Sequence, residues 1–264
     1  MNFNKPYSFL KKLPKKLNDF YKNYPKKKIQ IFNKSSNKNE IDPVTNLDRN
    51  FEKYIRSLIV KSFPKDSIIG EEYKNKISSE DYIWTIDPID GTKAFISGVP
   101  TWSNLVGLIY KDIPKIGLAN FPDLKRFFIN NEKYSFIVNG RKFSKIKSSR
   151  NTNSNNVKVI CAFHGKIKKK IKKKITNKLG SNFSLVGFDA YNYCLLACGK
   201  IDVVIETNLK SYDILPLAPI VKNSGGIMTT WQNKDVINGG NILATGNKKL
   251  HNKFLKILKT VESK

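Results

Sequence analysis

Apolar and polar positions alternate along this chain with two different periods. From Asp48 to Phe63, the residues Phe51, Ile55, Leu58 and Ile59 recur at helical spacing and predict an amphipathic helix. Ser67 to Gly70 predicts a short strand that delivers Glu71 and Glu72 at its end. Tyr82 to Ile86 is a β-branched and aromatic run, a strand expected to stop at Pro88. Leu105 to Tyr110, Ile113 to Phe121 and Arg126 to Ile129 predict successive strands joined by short turns, and Val157 to Phe163 a further one. Phe183 to Val186 and Ile201 to Glu206 predict strands on either side of an apolar helix, Tyr191 to Cys198. Asp213 to Asn223 predicts a helix, with Pro216 in its first turn and Pro219 expected to kink it. Ile227 to Trp231 and Asn241 to Thr245 are the last strands, and Lys248 to Leu258 the last helix. At the other end, Phe9 to Tyr21 predicts an exposed helix punctuated by Pro14 and Pro25.

The elements mix without a clean βαβ repeat, which points to layered α/β or α+β packing. The 264 residues suffice for a substantial core. We expect residues 1–40 to form a basic helical segment of the same domain. Residues 41–264 form the main domain, in two packed halves with a joint near 150, where Asn151 to Asn156 is the candidate flexible stretch. No apolar run is long enough to span a membrane. Met1 to Leu17 has no signal-like apolar stretch, so a cytoplasmic protein is expected. Cys161, Cys194 and Cys198 fit buried reduced thiols rather than a disulfide framework.

Charge complicates that picture. Lys and Arg number 48 against 21 Asp and Glu, a net charge of +27. A nucleic-acid binder has such a balance, but here the excess is mostly Lys, spread along the whole chain. We read it as compositional drift that still steers small anions toward the surface. Lys166 to Leu179 is a very basic helix candidate in which Ile167, Ile171 and Ile175 make one narrow apolar stripe, read as a surface helix docked by that stripe, with a helix for a membrane surface or a nucleic acid as the alternative.

Against so much positive charge the acidic positions stand out. Asp87-Pro-Ile-Asp-Gly-Thr92 places two carboxylates three residues apart, with the Ile89 carbonyl between them. Hard cations such as Mg²⁺ take this kind of oxygen ligand. Gly91 permits a tight backbone path, and the free N–H groups of Gly91 and Thr92 suit a phosphate. Glu71, Asp213 and the Thr45–Asp48 pair sit at element ends, where they can converge on the same point.

Together, Asp87 to Thr92, Gly70-Glu-Glu72, Tyr212-Asp213 and Gly225-Gly226 resemble the signature segments of the inositol monophosphatase superfamily, from about Asp42 to the C-terminus. The resemblance implies a layered α-β-α-β-α sandwich, a homodimer, and hydrolysis of a small anionic phosphate monoester with two or three Mg²⁺ ions. It implies metal binding by Glu71, Asp87, the Ile89 carbonyl, Asp90 and Asp213. It assigns the attacking water to Glu71 and Thr92, the phosphate to the Gly91 and Thr92 N–H groups, support to Thr45 and Asp48, and a substrate hydroxyl to Glu206. Lys93 to Trp102 and Leu209 to Gly226, with Tyr212 before Asp213, are similar to the histidinol-phosphate phosphatase branch. In that branch Asp189 faces the substrate amine, although the chain has Phe188-Asp-Ala-Tyr191 where Gly-Asp-Cys-Tyr is common. A helix N-cap is the other reading of Asp189. His164 and His251 are expected to be bystanders, with His251 at a surface-like helix start and a phosphate contact as the alternative for His164. Two further alternatives are inositol 1-phosphate or another sugar or nucleotide phosphate as substrate, and a nucleic-acid-binding protein on an inactive scaffold.

Overall fold

A computed structural model describes residues 3–34, 43–78, 81–152, 156–164, 169–179, 183–184 and 187–262. The chain opens with helix α1 (Asn4–Asn23), then strands β1 (Ile31–Asn33) and β2 (Pro43–Thr45), which form a small antiparallel ladder. β2 runs directly into helix α2 (Asn46–Ser62). A seven-stranded sheet follows: β3 (Ser67–Gly70), β4 (Tyr82–Asp90), β5 (Ser103–Tyr110), β6 (Ile113–Phe121), β7 (Arg126–Asn130), β8 (Ser135–Asn139) and β9 (Lys142–Ile146). Its strands lie in chain order; β3 pairs parallel with β4 and every later pair is antiparallel. Helix α3 (Thr92–Ile96) interrupts it between β4 and β5.

The second sheet takes β10 (Val159–Ala162), β11 (Phe183–Ser184), β12 (Val203–Leu209), β13 (Ile227–Thr230) and β14 (Gly240–Thr245) in the order β11-β10-β12-β14-β13. Its helices are α4 (Lys169–Leu179), α5 (Ala190–Ala197), α6 (Ser211–Ile214), α7 (Leu217–Asn223) and α8 (Lys248–Glu262). α1 and α2 lie on one face of the seven-stranded sheet, and α7 touches both β6 and β13. α5 packs on α7 and β12, while α8 lies against β14 and carries α4 beside it. The layers are therefore α-β-α-β-α.

Strand alternation sorts side chains into these layers. On β4, Trp84 and Ile86 join the core under α1 and α2. On β5, Val106 and Leu108 face that same core, while Leu105 and Ile109 face the central layer. On β12, Val204 faces the central core, and Val203 and Ile205 face α8. Thr85 and Asp87 alternate with Trp84 and Ile86, which turns Asp87 away from the outer core.

Several expectations change. β4 does not stop at Pro88 but runs to Asp90, through an irregularity in its pairing with β5 between Asp87 and Asp90. Helix Asp213–Asn223 is two helices, α6 and α7. Pro219 therefore falls in the first turn of α7, where no intrahelical donor is needed, and produces no kink. α1 is not an exposed helix: it buries Leu10, Leu13 and Leu17 and continues through Pro14. Its packing against the sheet outweighs the single lost backbone bond. β8 and β9 carry no strong alternation and so are not predicted by it. Ile171 and Ile175 dock α4 against the core beneath α8 as expected, with Leu179 packed there too, whereas Ile167 lies outside the described residues. So do residues 153–155 of the candidate joint and residues 185–186 of the strand after α4. The three cysteines are free thiols, with Cys161 and Cys194 buried.

His251 is not at the surface. It is 3% exposed, with Nδ1 3.0 Å from the Thr245 hydroxyl and Nε2 3.0 Å from the Thr229 hydroxyl. Burial lowers its pKa to about 4. Above pH 6.5 neither the folded nor the unfolded chain protonates it. Between pH 6.5 and 4 only the unfolded chain gains the proton, so folding stability falls as pH falls, by on the order of 1–3 kcal/mol. His251→Gln should remove that share of the acid loss, measured as urea midpoints at pH 7 and pH 4.5. Equal losses in both proteins would refute this account.

Candidate active site

The site is assembled where the ends of several elements meet. Thr45 caps α2: its hydroxyl accepts from the Leu47 and Asp48 amides at 3.2 and 3.4 Å. In return Asp48 accepts the Thr45 amide at 2.8 Å and the Thr45 hydroxyl. This reciprocal capping box locks the Asp48 carboxylate in place. Its other oxygen lies 3.4 Å from the Thr92 hydroxyl, which also reaches the Ile89 carbonyl at 3.0 Å. Burial raises the Asp48 pKa to about 6.

Asp87 and Asp90 flank the bulged end of β4. Asp87 is 3% exposed, and its Oδ1 has no hydrogen-bond partner. Burial pushes its pKa well up, and the neighbouring charges of Glu71, Asp90, Asp213 and Asp48 push it further. Asp90 accepts the Ala190 amide at 2.9 Å, with the Ser103 hydroxyl at 3.4 Å. Burial raises its pKa also, helped by the charges of Asp189, Asp213 and Glu206. Asp213, on α6, accepts the Lys210 amide at 2.7 Å, and burial lifts it to about 7. The structure thus brings Glu71, Asp87, Asp90, Asp213 and Asp48 together from four separate elements or loops.

Gly91 turns the chain from β4 into α3 with φ +75°. A side chain there would be strained, and its Cβ would fall 2.6 Å from Asp189 Oδ2. Asp189 stands at the N-cap of α5 but makes no side-chain capping bond, and its backbone takes φ 48°, ψ −133°. The N-cap reading therefore fails. The carboxylate is held toward the Gly91 turn by a backbone conformation that costs energy. Next to it, Glu206 is buried, and its Oε1 lies 2.9 Å from His164 Nε2. That hydrogen bond raises the His164 pKa against the opposing effect of burial. His164 therefore stands beside the candidate site, in contact with Glu206.

Three features escaped the sequence reading. Lys34 bridges Glu71, at 2.8 Å, and Glu72. Buried Glu52 and part-buried Arg56 form an ion pair beneath the Glu71 loop, at 2.7 Å. Both lie on α2, at helical spacing from Asp48, and an acidic residue at position 52 beside Phe51 on a predicted apolar face was the available signal. Trp102 donates to Asp123 at 2.6 Å and packs among Tyr21, Phe51 and Phe95. The Lys93–Trp102 segment thus anchors the turn after α3 in the core.

The donor set is all oxygen and strongly anionic, and Asp87 Oδ1 is buried without a partner. Uncompensated buried carboxylates are costly, and a hard cation relieves that cost. Among the described residues no three of these side chains already stand as a finished metal cage. Mg²⁺ does not require one, because it keeps several waters and takes only one or two carboxylates with substrate phosphate. The residues therefore fit such an ion.

Comparisons with known proteins give the family and the fold. The chloroplastic bifunctional phosphatase IMPL2 of Arabidopsis thaliana is 33% identical over 246 residues, which cover 89% of this chain and 69% of that protein. A histidinol-phosphatase of Mycobacterium tuberculosis is 27% identical over 230 residues, 83% of this chain and 85% of its own. In fold, the extragenic suppressor protein suhB of Bartonella henselae superposes with a TM-score of 0.82 at 22% identity, covering 97% of this chain and 98% of its own. The inositol monophosphatase family profile spans residues 7–263, and the chain belongs to that family of metal-dependent phosphoric monoester hydrolases.

Proposed function

We propose that the chain hydrolyses histidinol phosphate to histidinol, a step in histidine biosynthesis, with two or three Mg²⁺ ions, as a cytoplasmic homodimer. The observation that carries the substrate is Asp189. It is uncapped, conformationally strained and aimed at the Gly91 turn beside buried Glu206. An anionic wall next to a phosphate cradle suits a phosphate ester that carries an ammonium group. The resemblance to a protein named histidinol-phosphatase supports the same choice.

In this reading Glu71, Asp87, the Ile89 carbonyl, Asp90 and Asp213 hold the metal. The metal supplies water activation and neutralises charge on the phosphoryl group. The rest falls to the chain's own groups. Gly91 and Thr92 offer backbone N–H groups to the phosphate. Thr92 and Glu71 orient the attacking water, and Asp48, pinned by Thr45, holds the Thr92 hydroxyl. Asp189 receives the substrate ammonium, and Glu206 a substrate hydroxyl. No Ser, Cys or His nucleophile is required.

Phosphate release from histidinol phosphate, inositol 1-phosphate and adenosine 3′,5′-bisphosphate, with and without Mg²⁺, tests the assignment. Turnover should depend on Mg²⁺, and kcat/KM for histidinol phosphate should exceed the others by at least ~10-fold, because the other two leave Asp189 unpaired. A higher kcat/KM for inositol 1-phosphate would replace the substrate named here.

A further inference from the structure

Glu52 is 0% exposed, and neither of its carboxylate oxygens faces the site. Both are spent on one neighbouring loop. Oε2 accepts the Glu72 amide at 2.7 Å, and Oε1 accepts the Tyr73 amide at 3.2 Å. Arg56, one helical turn further along α2, donates Nε to the same Oε1 at 2.7 Å and Nη2 to the Tyr73 carbonyl at 3.2 Å. The loop backbone after Glu71 is thus gripped at two amides by buried Glu52 and at one carbonyl by its part-buried partner Arg56.

Gly70 belongs to the same device. A Cβ at position 70 would fall 2.1 Å from Glu52 Oε1 and 2.8 Å from Arg56 Nη2. The chain can pass this close to the ion pair only without a side chain. Glu71 is then held between Gly70, fixed from one side, and the Glu72 and Tyr73 amides, fixed from the other. Asp48 lies one turn before Glu52 on α2 and is itself locked by Thr45. One helix therefore sets two of the carboxylates that face Asp87.

We infer that Glu52 is a positioning residue: through the Glu72 and Tyr73 amides it fixes the Glu71 carboxylate for metal binding, and it thereby sets the affinity for Mg²⁺. The inference rests on the reading of Glu71 as a metal ligand. A buried charge satisfied by a single loop is well suited to this, because outer partners that orient a ligand typically govern metal affinity by 10–100-fold.

Glu52→Gln tests it. The amide is isosteric but turns an NH₂ toward a backbone N–H, so one grip is lost. Calorimetric Mg²⁺ affinity without substrate should weaken by about 10–100-fold. The Mg²⁺ concentration for half-maximal activity should rise by the same factor, and saturating Mg²⁺ should bring kcat back to within about threefold of the parent. Amide exchange should quicken at Glu72 and Tyr73 and stay unchanged at Leu47. Gly70→Ala, whose methyl displaces the carboxylate, should give the same loss of affinity and serves if Glu52→Gln folds poorly. Glu71→Gln separates the two claims. If it loses affinity while Glu52→Gln and Gly70→Ala keep it, the positioning role falls and the ligand reading stands. Parental affinity in Glu71→Gln overturns both. A kcat deficit in Glu52→Gln that excess Mg²⁺ does not restore also overturns the positioning role.

Discussion

Asp90→Asn should lose at least about a thousandfold in kcat/KM while the metal-free fold becomes more stable. The two effects have one cause. Asp90 sits with Asp189, Asp213 and Glu206 in a site that burial makes hostile to charge, so its pKa is raised well above the usual carboxylate range. A raised carboxylate pKa means that, above about pH 4, the ionised group destabilises the folded chain relative to the unfolded one. Asparagine removes that charge. The Ala190 amide and the Ser103 hydroxyl both donate to one oxygen of Asp90, and the asparagine carbonyl in that place can still accept both, so the turn into α3 should survive. A relief of about 1 kcal/mol corresponds to a rise in Tm of roughly 2–4 °C for a chain of this size. Added Mg²⁺ should raise the Tm of the parent protein and leave the variant nearly unmoved. Phosphate release and thermal melts on the same samples check both halves. Full activity in Asp90→Asn would refute the metal assignment. Lost activity with a lowered Tm would mean that the turn, rather than the charge, had been damaged.

How much of this could be read from residues alone depends on where the physical signal lies. Asp87, Asp90, Gly91 and Thr92 are contiguous, so their proximity is built into the chain and the structure adds only the bulge that separates the two aspartates. α2 and α8 were legible because a long apolar stripe has one solution. The break between α6 and α7 was not, since an apolar run through two prolines fits one bent helix or two short ones. α1 was misjudged for a related reason: Pro14 and a high Lys content argue for exposure, and only the sheet beneath shows that Leu10, Leu13 and Leu17 are buried. Glu52 was missed because a glutamate within an amphipathic helix ordinarily faces water. What buries it is a loop twenty residues downstream. Asp189 lay between, since its position suited either a cap or a ligand contact. The backbone angle and the absent capping bond decide the first of these, and neither is visible in residue type.

Asp189 also carries the sharpest substrate prediction. Asp189→Asn should lower kcat/KM for histidinol phosphate by about 30- to 1000-fold, and kcat/KM for inositol 1-phosphate by no more than a few fold. A carboxylate facing a substrate ammonium in a partly dehydrated site forms a charge-assisted hydrogen bond, and removing one partner leaves the other charge unpaired. Inositol phosphate has no cation to strand, so it should not register the change. The variant also relieves repulsion, because Asp189 is driven upward in pKa by burial and then by Glu206. A small improvement with inositol phosphate would fit, as would a gain in Tm. Asparagine differs from aspartate only in the amide that replaces one carboxylate oxygen, so the strained backbone that aims residue 189 at Gly91 should be kept. The ratio of the two kcat/KM values is the decisive readout, since misfolding or lost metal would lower both together. An unchanged ratio would remove Asp189 from substrate recognition and with it the main structural reason for choosing an amine-bearing phosphate. A collapsed ratio would tie specificity to a single carboxylate that packing and backbone strain hold in readiness.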